Sequence, residues 1–180
     1  MKRKGFGDME CTIARAVDAV CDPWTLLIIR QAFLGARRFQ QFEAALAIPP
    51  NTLSRRLNDL VARGFLDKHR YESHPPRHEY LLTQAALDLM PLFLALARWG
   101  RQHRSPGGPP LELVDVNTGR RVDPMVVDRH TGQELLPGTV AVSLGRGASQ
   151  ELRHTMHSAG LRRVVLGAQD GRGVYPAVCP

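Results

Sequence analysis

Phe39-Gln40-Gln41-Phe42-Glu43-Ala44-Ala45-Leu46, Ile48-Pro49-Pro50-Asn51 and Thr52-Leu53-Ser54-Arg55-Arg56-Leu57-Asn58-Asp59-Leu60 succeed one another in this chain, and their reading decides its fold. The first run predicts a helix, the second a tight turn and the third another helix. In that later helix Leu53, Leu57, Leu60 and Val61 recur at i, i+4, i+7 and i+8 and share one face. Asn51, Thr52, Arg55 and Asp59 occupy the opposite face, with Ser54 and Arg56 on its flanks. Pro50 suits a first helical turn, where its missing N–H costs nothing, and Gly64 suits the far end. Residues 65–71 and 77–82 then read as two short strands about the turn Glu72-Ser73-His74-Pro75-Pro76. They are too rich in Arg, Lys and His to form a core alone, so they predict a projecting wing. This order is that of a winged helix-turn-helix, which sets a basic helix into a DNA groove.

Towards the N-terminus, Ile13, Ala14, Val17 and Val20 repeat at helical spacing and predict a helix over about residues 11–20. Asp22 before Pro23 reads as an N-cap followed by proline at the first helical position. The next helix, from Trp24 to Leu34, is apolar on almost every side and is expected to be buried, with Gly35 ending it. Arg37-Arg38-Phe39 is expected to open the first helix of the helix-turn-helix.

After the wing, residues 83–103 predict one more helix carrying Leu87, Met90, Phe93, Leu94, Ala97 and Trp99, kinked at Pro91. That apolar surface needs a partner, either a second copy of the chain or the first two helices of the same one. Ser105-Pro106-Gly107-Gly108-Pro109-Pro110 reads as a linker. Strands are expected at 111–116, 122–127, 139–144 and 163–166, with a helix at 148–159. The turns Asn117-Thr118-Gly119 and His130-Thr131-Gly132 hint at a duplicated hairpin. The expected fold is thus mainly α with a small β wing over residues 1–104, a linker at 105–110, and a small β-rich C-terminal extension at 111–180.

Charge is partitioned in the same way. The chain of 180 residues carries a net +7. Up to Arg104 there are 16 Lys+Arg against 10 Asp+Glu, a net of +6; the remainder has 8 against 7, a net of +1. The basic excess therefore belongs to the helix-turn-helix segment and favours a polyanionic partner there. No apolar run approaches the roughly 20 residues that span a bilayer. The start, Met1-Lys2-Arg3-Lys4-Gly5-Phe6-Gly7-Asp8, is not an apolar signal region, so the expected location is the cytoplasm, with no membrane partner. Cys11, Cys21 and Cys179 are too few and scattered for a disulfide framework.

Cys11 with Arg15-Ala16-Val17-Asp18, Trp24-Thr25-Leu26-Leu27-Ile28-Ile29-Arg30 and Leu34-Gly35-Ala36-Arg37-Arg38-Phe39 resemble the HxlR-type transcriptional regulators, relatives of the MarR group. So do Leu53-Ser54-Arg55-Arg56-Leu57, Gly64-Phe65-Leu66, Tyr71, Pro75-Pro76-Arg77-His78-Glu79-Tyr80-Leu81-Leu82-Thr83 and Trp99-Gly100. The resemblance covers roughly residues 9–104. It implies a homodimeric winged-helix protein on double-stranded operator DNA, usually a repressor and sometimes an activator. Two departures stand out: Ala86 where the family usually has glycine, and Cys21-Asp22-Pro23-Trp24 where many relatives have Gly-Asp or Gly-Gly before Lys/Arg-Trp. The tail resembles an extension on longer members that looks like a small zinc ribbon. Its Cys-Gly turns correspond to Thr118-Gly119 and Asp128-Arg129-His130-Thr131-Gly132, so the zinc-holding thiolates are missing.

For base-edge contact the candidates are Asn51, Thr52 and Arg55, since Asn pairs bidentately with adenine and Arg with guanine. Ser54 and Arg56 flank them; Arg55 or Arg56 could instead touch phosphate or pair with Asp59. Arg37, Arg38, Lys68, Arg70, His74 and Arg77 are candidates for phosphate or minor-groove contact. Cys11 stands where a helix dipole favours thiolate, and the resemblance offers it as a sensor of oxidants or electrophiles; the alternative is an inert thiol. Helical rise separates Cys11 from Cys21 by roughly 15 Å, beyond disulfide reach within one chain. Trp24, Phe33, Phe93 and Trp99 could line an effector pocket or dimer interface, or simply be core. The pairs His154/His157 and His74/His78 lack further ligands, so neither a metal nor a cofactor is expected. Ser143 near Gly145 and Gly147 lacks a nucleophile elbow, and no acid pair or phosphate loop stands out, so the chain is not expected to be an enzyme. The competing class is a protein-interaction module that has lost DNA binding.

Overall fold

The computed structural model describes residues 5–167, so Lys2-Arg3-Lys4 and the terminal stretch with Cys179 lie outside the described residues. The chain order is α1 (Thr12–Val20), α2 (Pro23–Phe33), α3 (Phe39–Leu46), α4 (Pro50–Ala62), β1 (Leu66–Ser73), β2 (Pro76–Leu82), α5 (Gln84–Leu87), α6 (Met90–Arg104), β3 (Ala141–Ser143), α7 (Gln150–Ser158) and β4 (Arg163–Val165). Two compact units result, residues 16–124 and residues 5–15 with 125–167. The first is a winged helix-turn-helix; the second adds the short C-terminal strands.

In the first unit, Asp22 starts α2 by accepting the N–H groups of Trp24 and Thr25 at 3.0 and 3.2 Å. Ile28 and Ile29 of α2 are fully buried, whereas Arg30 and Leu34 are exposed, so burial on every side does not hold. Arg37 and Arg38 precede α3 instead of opening it: Gln41 Oε1 accepts their N–H groups at 2.8 and 2.9 Å. Arg38 is extended and bridges to Glu79, adding a one-residue third strand to the wing. Ala47 turns the chain in the left-handed region (φ 47°), and Ile48 drops into the core. Leu53, Leu57 and Leu60 of α4 are fully buried against Ile28, Ile29, Phe42, Leu66 and Tyr80. Each such side chain contributes about 1.5–3 kcal/mol by leaving water. Burial on this face is what turns the Asn51–Arg55 face outward.

Gly64 (φ 75°) ends α4, and the N–H groups of Gly64 and Phe65 return to the Val61 and Leu60 carbonyls at 3.0 and 2.9 Å. Strands β1 and β2 pair antiparallel from Leu66↔Leu82 to Ser73↔Pro76, with an irregularity between Arg70 and Glu72. Thr83 closes the wing: its hydroxyl donates to the Gly64 carbonyl at 2.7 Å and accepts the Ala86 N–H at 3.3 Å. Ala86 is fully buried in an ordinary helical conformation, so its methyl fills space where glycine would leave a gap. The single helix expected over 83–103 is two, because Pro91 lies in the first turn of α6, where it needs no N–H partner. After α6 the chain folds back, and Asp123 pairs with Arg101 and, at 3.8 Å, with Arg98.

The strands expected at 111–116 and 122–127 are absent as strands; each contributes to one isolated bridge, Val114↔Arg121 or Val127↔Glu134. Their turns repeat one design. Asp115 accepts the N–H groups of Asn117 and Thr118 at 3.1 and 2.7 Å and the Thr118 hydroxyl at 2.8 Å, with Gly119 at φ 66°. In the second unit, Asp128 accepts the His130 N–H at 3.0 Å and the Thr131 hydroxyl at 3.1 Å, with Gly132 at φ 69°.

The core of that second unit is Leu152 and Met156 of α7 against Val164 of β4 and Val142 of β3. Ser149 caps α7 by accepting the Leu152 N–H at 3.0 Å. Glu10 holds this cap: its Oε2 accepts the Ser149 hydroxyl at 2.7 Å, and its Oε1 accepts the Ser149 N–H. Those two bonds, the hydroxyl first, hold the Glu10 carboxyl below the ordinary glutamate range despite some desolvation. A depressed folded-state pKa stabilises above the unfolded value and loses that contribution as pH falls through the folded one. Glu10→Gln is therefore expected to lower the melting temperature at pH 7, and the gap from the parent protein should close as the pH falls below the ordinary glutamate range. A gap that persists unchanged in acid would refute the role.

Candidate nucleic-acid interface

Helix α4 presents Asn51, Ser54 and Arg55 to solvent, with Thr52 half-buried, while its leucines face inward. Asn58 is exposed on the same face, three residues beyond Arg55; the sequence reading passed over it, although the i, i+4, i+7 spacing of Asn51, Arg55 and Asn58 was available. Arg56 has another task. Its Nη2 lies 3.0 Å from Asp22 Oδ2, and its side chain is only 24% exposed, so it bolts α4 to the start of α2. Asp59 pairs with Arg63 at 3.2 Å, so the alternative pairing with Arg55 or Arg56 is corrected. Arg63 also donates to the Asp18 and Ala19 carbonyls at 3.4 and 2.9 Å, closing the last turn of α1.

The wing splits its cations similarly. Lys68, Arg70 and His74 are exposed, and Lys68 lies 5.9 Å from the Tyr80 ring centre. Arg37 is exposed and its carbonyl accepts the Tyr80 N–H at 2.7 Å. Arg38 is clamped: Nε reaches Glu79 Oε1 at 3.2 Å while the guanidinium stacks 4.5 Å over Tyr71. Arg77 pairs with Glu72 at 3.3 Å. His78, cross-strand from Arg70, was not among the DNA candidates; desolvation first, then Lys68 and Arg70, push its pKa down.

Trp24, Phe33 and Phe93 pack on the central core, Phe33 and Phe93 edge-to-face at 5.3 Å. Trp99 is apart from them, 51% exposed and covered by Arg104 at 5.3 Å. The four aromatics therefore do not form one lining. Cys11 and Cys21 are both exposed free thiols. Among the described residues no three His, Cys, Asp or Glu side chains converge as a metal site, and no helix is long and apolar enough to cross a membrane.

Residues 19–107, which contain this whole surface, match the HxlR-like helix-turn-helix family. An uncharacterised HTH-type transcriptional regulator of Mycobacterium tuberculosis is 41% identical over 142 residues, which are 78% of this chain and 90% of the relative. The chain belongs to the HxlR family. The crystal structure of PA1607, described as a transcription factor, aligns with a TM-score of 0.70 at 30% identity over 79% of this chain and 99% of that one. A second, PA1374 from Pseudomonas aeruginosa, aligns at 0.58 and 36% identity over 80% and 99%. These matches are longer than the helix-turn-helix segment alone, so such relatives share sequence and structure outside it. As an HxlR-family member the protein is a DNA-binding transcriptional regulator with a winged helix-turn-helix.

Two functions meet at Asp22, which caps α2 and neutralises Arg56. Asp22→Ala in this HxlR protein is expected to cost about 1–2 kcal/mol, from the lost cap and from leaving the part-buried Arg56 guanidinium without its carboxylate. Urea unfolding checks it. A value indistinguishable from zero would remove Asp22 from the framework.

Proposed function

We propose that the protein is a cytoplasmic, homodimeric repressor that reads an operator through the exposed face of α4 and is released by a small molecule or by thiol oxidation. The observation that carries this reading is the division of labour on α4. Arg56 and Arg63 are occupied by Asp22 and Asp59, whereas Arg55 stands exposed with Asn51 and Asn58 on one polar face. In the proposal Asn51, Thr52 and Arg55 meet base edges. Ser54, Arg37, Lys68, Arg70 and His74 meet the backbone, joined by Arg77 and Arg38 where phosphate competes with their carboxylates.

Dimerisation is supported by α6. Leu92, Leu96 and Trp99, at i, i+4 and i+7, are 38%, 45% and 51% exposed and form an apolar stripe that flanks Phe93, which packs on the core. An operator with two half-sites suits a two-fold dimer carrying one α4 per half-site. Exposure of Cys11 supports a thiol switch, because an accessible sulfur can meet oxidants and electrophiles.

Selection of bound DNA from a random pool, with and without thiol oxidant, tests the reading. Related half-sites spaced by about one helical turn or a multiple are expected. Arg55→Ala should flatten preference at one base position per half-site, worth about 1–3 kcal/mol, whereas Arg77→Ala should weaken all sequences alike. Oxidant should reduce recovery from the parent protein but not from Cys11→Ser. Recovery of unselected DNA, or of none, would favour an interaction module instead.

A further inference from the structure

The two-stranded sheet of the second unit has two unlike faces. Val142 and Val164 point towards α7 and are packed there. Strand alternation then sends Ala141, Ser143, Arg163 and Val165 to the other face. On that side an open hollow of about 500 Å³ is lined by Thr139, Ala141, Ser143, Arg162 and Arg163. Its size falls in the range of small-molecule sites.

Its chemistry is one-sided. Among the described residues Arg162 and Arg163 are exposed and form no ion pair, and no carboxylate lines the hollow. The Thr139 hydroxyl is already committed, donating to the Leu136 carbonyl at 2.8 Å and accepting the Leu136 N–H at 2.9 Å. Ser143, directly opposite Arg163 in the strand pair, brings a hydroxyl-bearing side chain to the same lining. Ala141 and Ser143 are small, and their small size keeps the space open. By contrast Arg153 is consumed structurally, donating to the carbonyls of Ala148, Gly145 and Arg146 at 3.2 Å each. Two planar cationic forks and a hydroxyl, with no competing acid among the described residues, are suited to a compact ligand bearing two or more negative charges.

We propose that this hollow binds a small polyanion, a phosphate ester or a polycarboxylate, on Arg162, Arg163 and Ser143. A concave site of this volume fits such a molecule better than a DNA strand, which needs an extended track of phosphate contacts. If the regulator reading holds, this ligand is the effector; that consequence alone rests on the reading, since binding needs no DNA.

The test uses the full chain without DNA, titrated separately with inorganic pyrophosphate and with citrate, and followed by calorimetry and amide NMR. Saturable binding of at least one probe is expected, with shifts centred on residues 139–143 and 162–163. The double variant Arg162→Ala/Arg163→Ala should weaken it about tenfold or more. Ala141→Leu, which fills the hollow but keeps both charges, should weaken it as well. The response to pyrophosphate against citrate tells a phosphate site from a carboxylate site. No saturation by either probe up to about 10 mM, or binding that survives both variants, overturns the proposal. So does a double variant that loses only operator affinity, which would make the arginines DNA-backbone contacts. Arg55→Ala should leave polyanion binding intact, so failure of DNA reading and failure of this site are separable.

Discussion

The contact between Asp22 and Arg56 is the constraint on which the DNA-facing surface depends. One carboxylate accepts the first free N–H groups of α2 and, 3.0 Å away, pairs with Nη2 of the Arg56 guanidinium on α4. Since α2 carries Ile28 and Ile29 into the centre of the core, the contact ties α4 to the most deeply packed helix. The leucines of α4 would by themselves permit small rotations and slides, because apolar burial has no direction. A charged hydrogen bond with its own geometry narrows that freedom. Arg63 does the same at the C-terminal end of α4, through Asp59 and the last carbonyls of α1. With its middle and its C-terminal end held, the outward phase of Asn51, Arg55 and Asn58 is set.

What could be read beforehand was what local periodicity and turn chemistry encode. Leu53, Leu57 and Leu60 gave the phase of α4, Asp22-Pro23 gave the start of α2, and Gly64 gave the end of α4. Pairings between residues distant in sequence were not readable. Arg38 looks like any basic residue before a helix until the wing brings Glu79 and Tyr71 to it. Arg56 is likewise indistinguishable from Arg55 until Asp22 arrives from α2. Pro91 was misread because proline within an apolar helical pattern fits a kink and a new first turn equally well. The runs at 111–116 and 122–127 have strand-like composition, but strands also need a partner edge, and each run finds only one bridge.

The repeated turns explain how those runs can be ordered with so little sheet. In each, one aspartate gathers turn donors and a glycine reverses the chain with positive φ. The Thr118 hydroxyl and N–H hold the Asp115 carboxyl below its ordinary range, a sign that these bonds favour the charged acceptor. Here local oxygen acceptors organise the backbone, so the geometry of each turn is self-contained.

The ion pairs also rank the cations of the interface by how readily each can exchange its partner for a phosphate. An exposed pair contributes at most about 1 kcal/mol, so Arg77, 53% exposed beside Glu72, gives up little by turning to DNA. Arg38 loses more, because its Tyr71 stacking is tied to the same orientation as its bond to Glu79. Arg56 loses most: leaving Asp22 would strip a part-buried guanidinium and weaken the cap of α2 together. Arg55 on α4 and Arg70 on the wing have no such ties among the described residues and exchange only water. The gradient runs from the centre of the helix-turn-helix outward, so the surface can adjust to DNA at its rim while α4 keeps its seating.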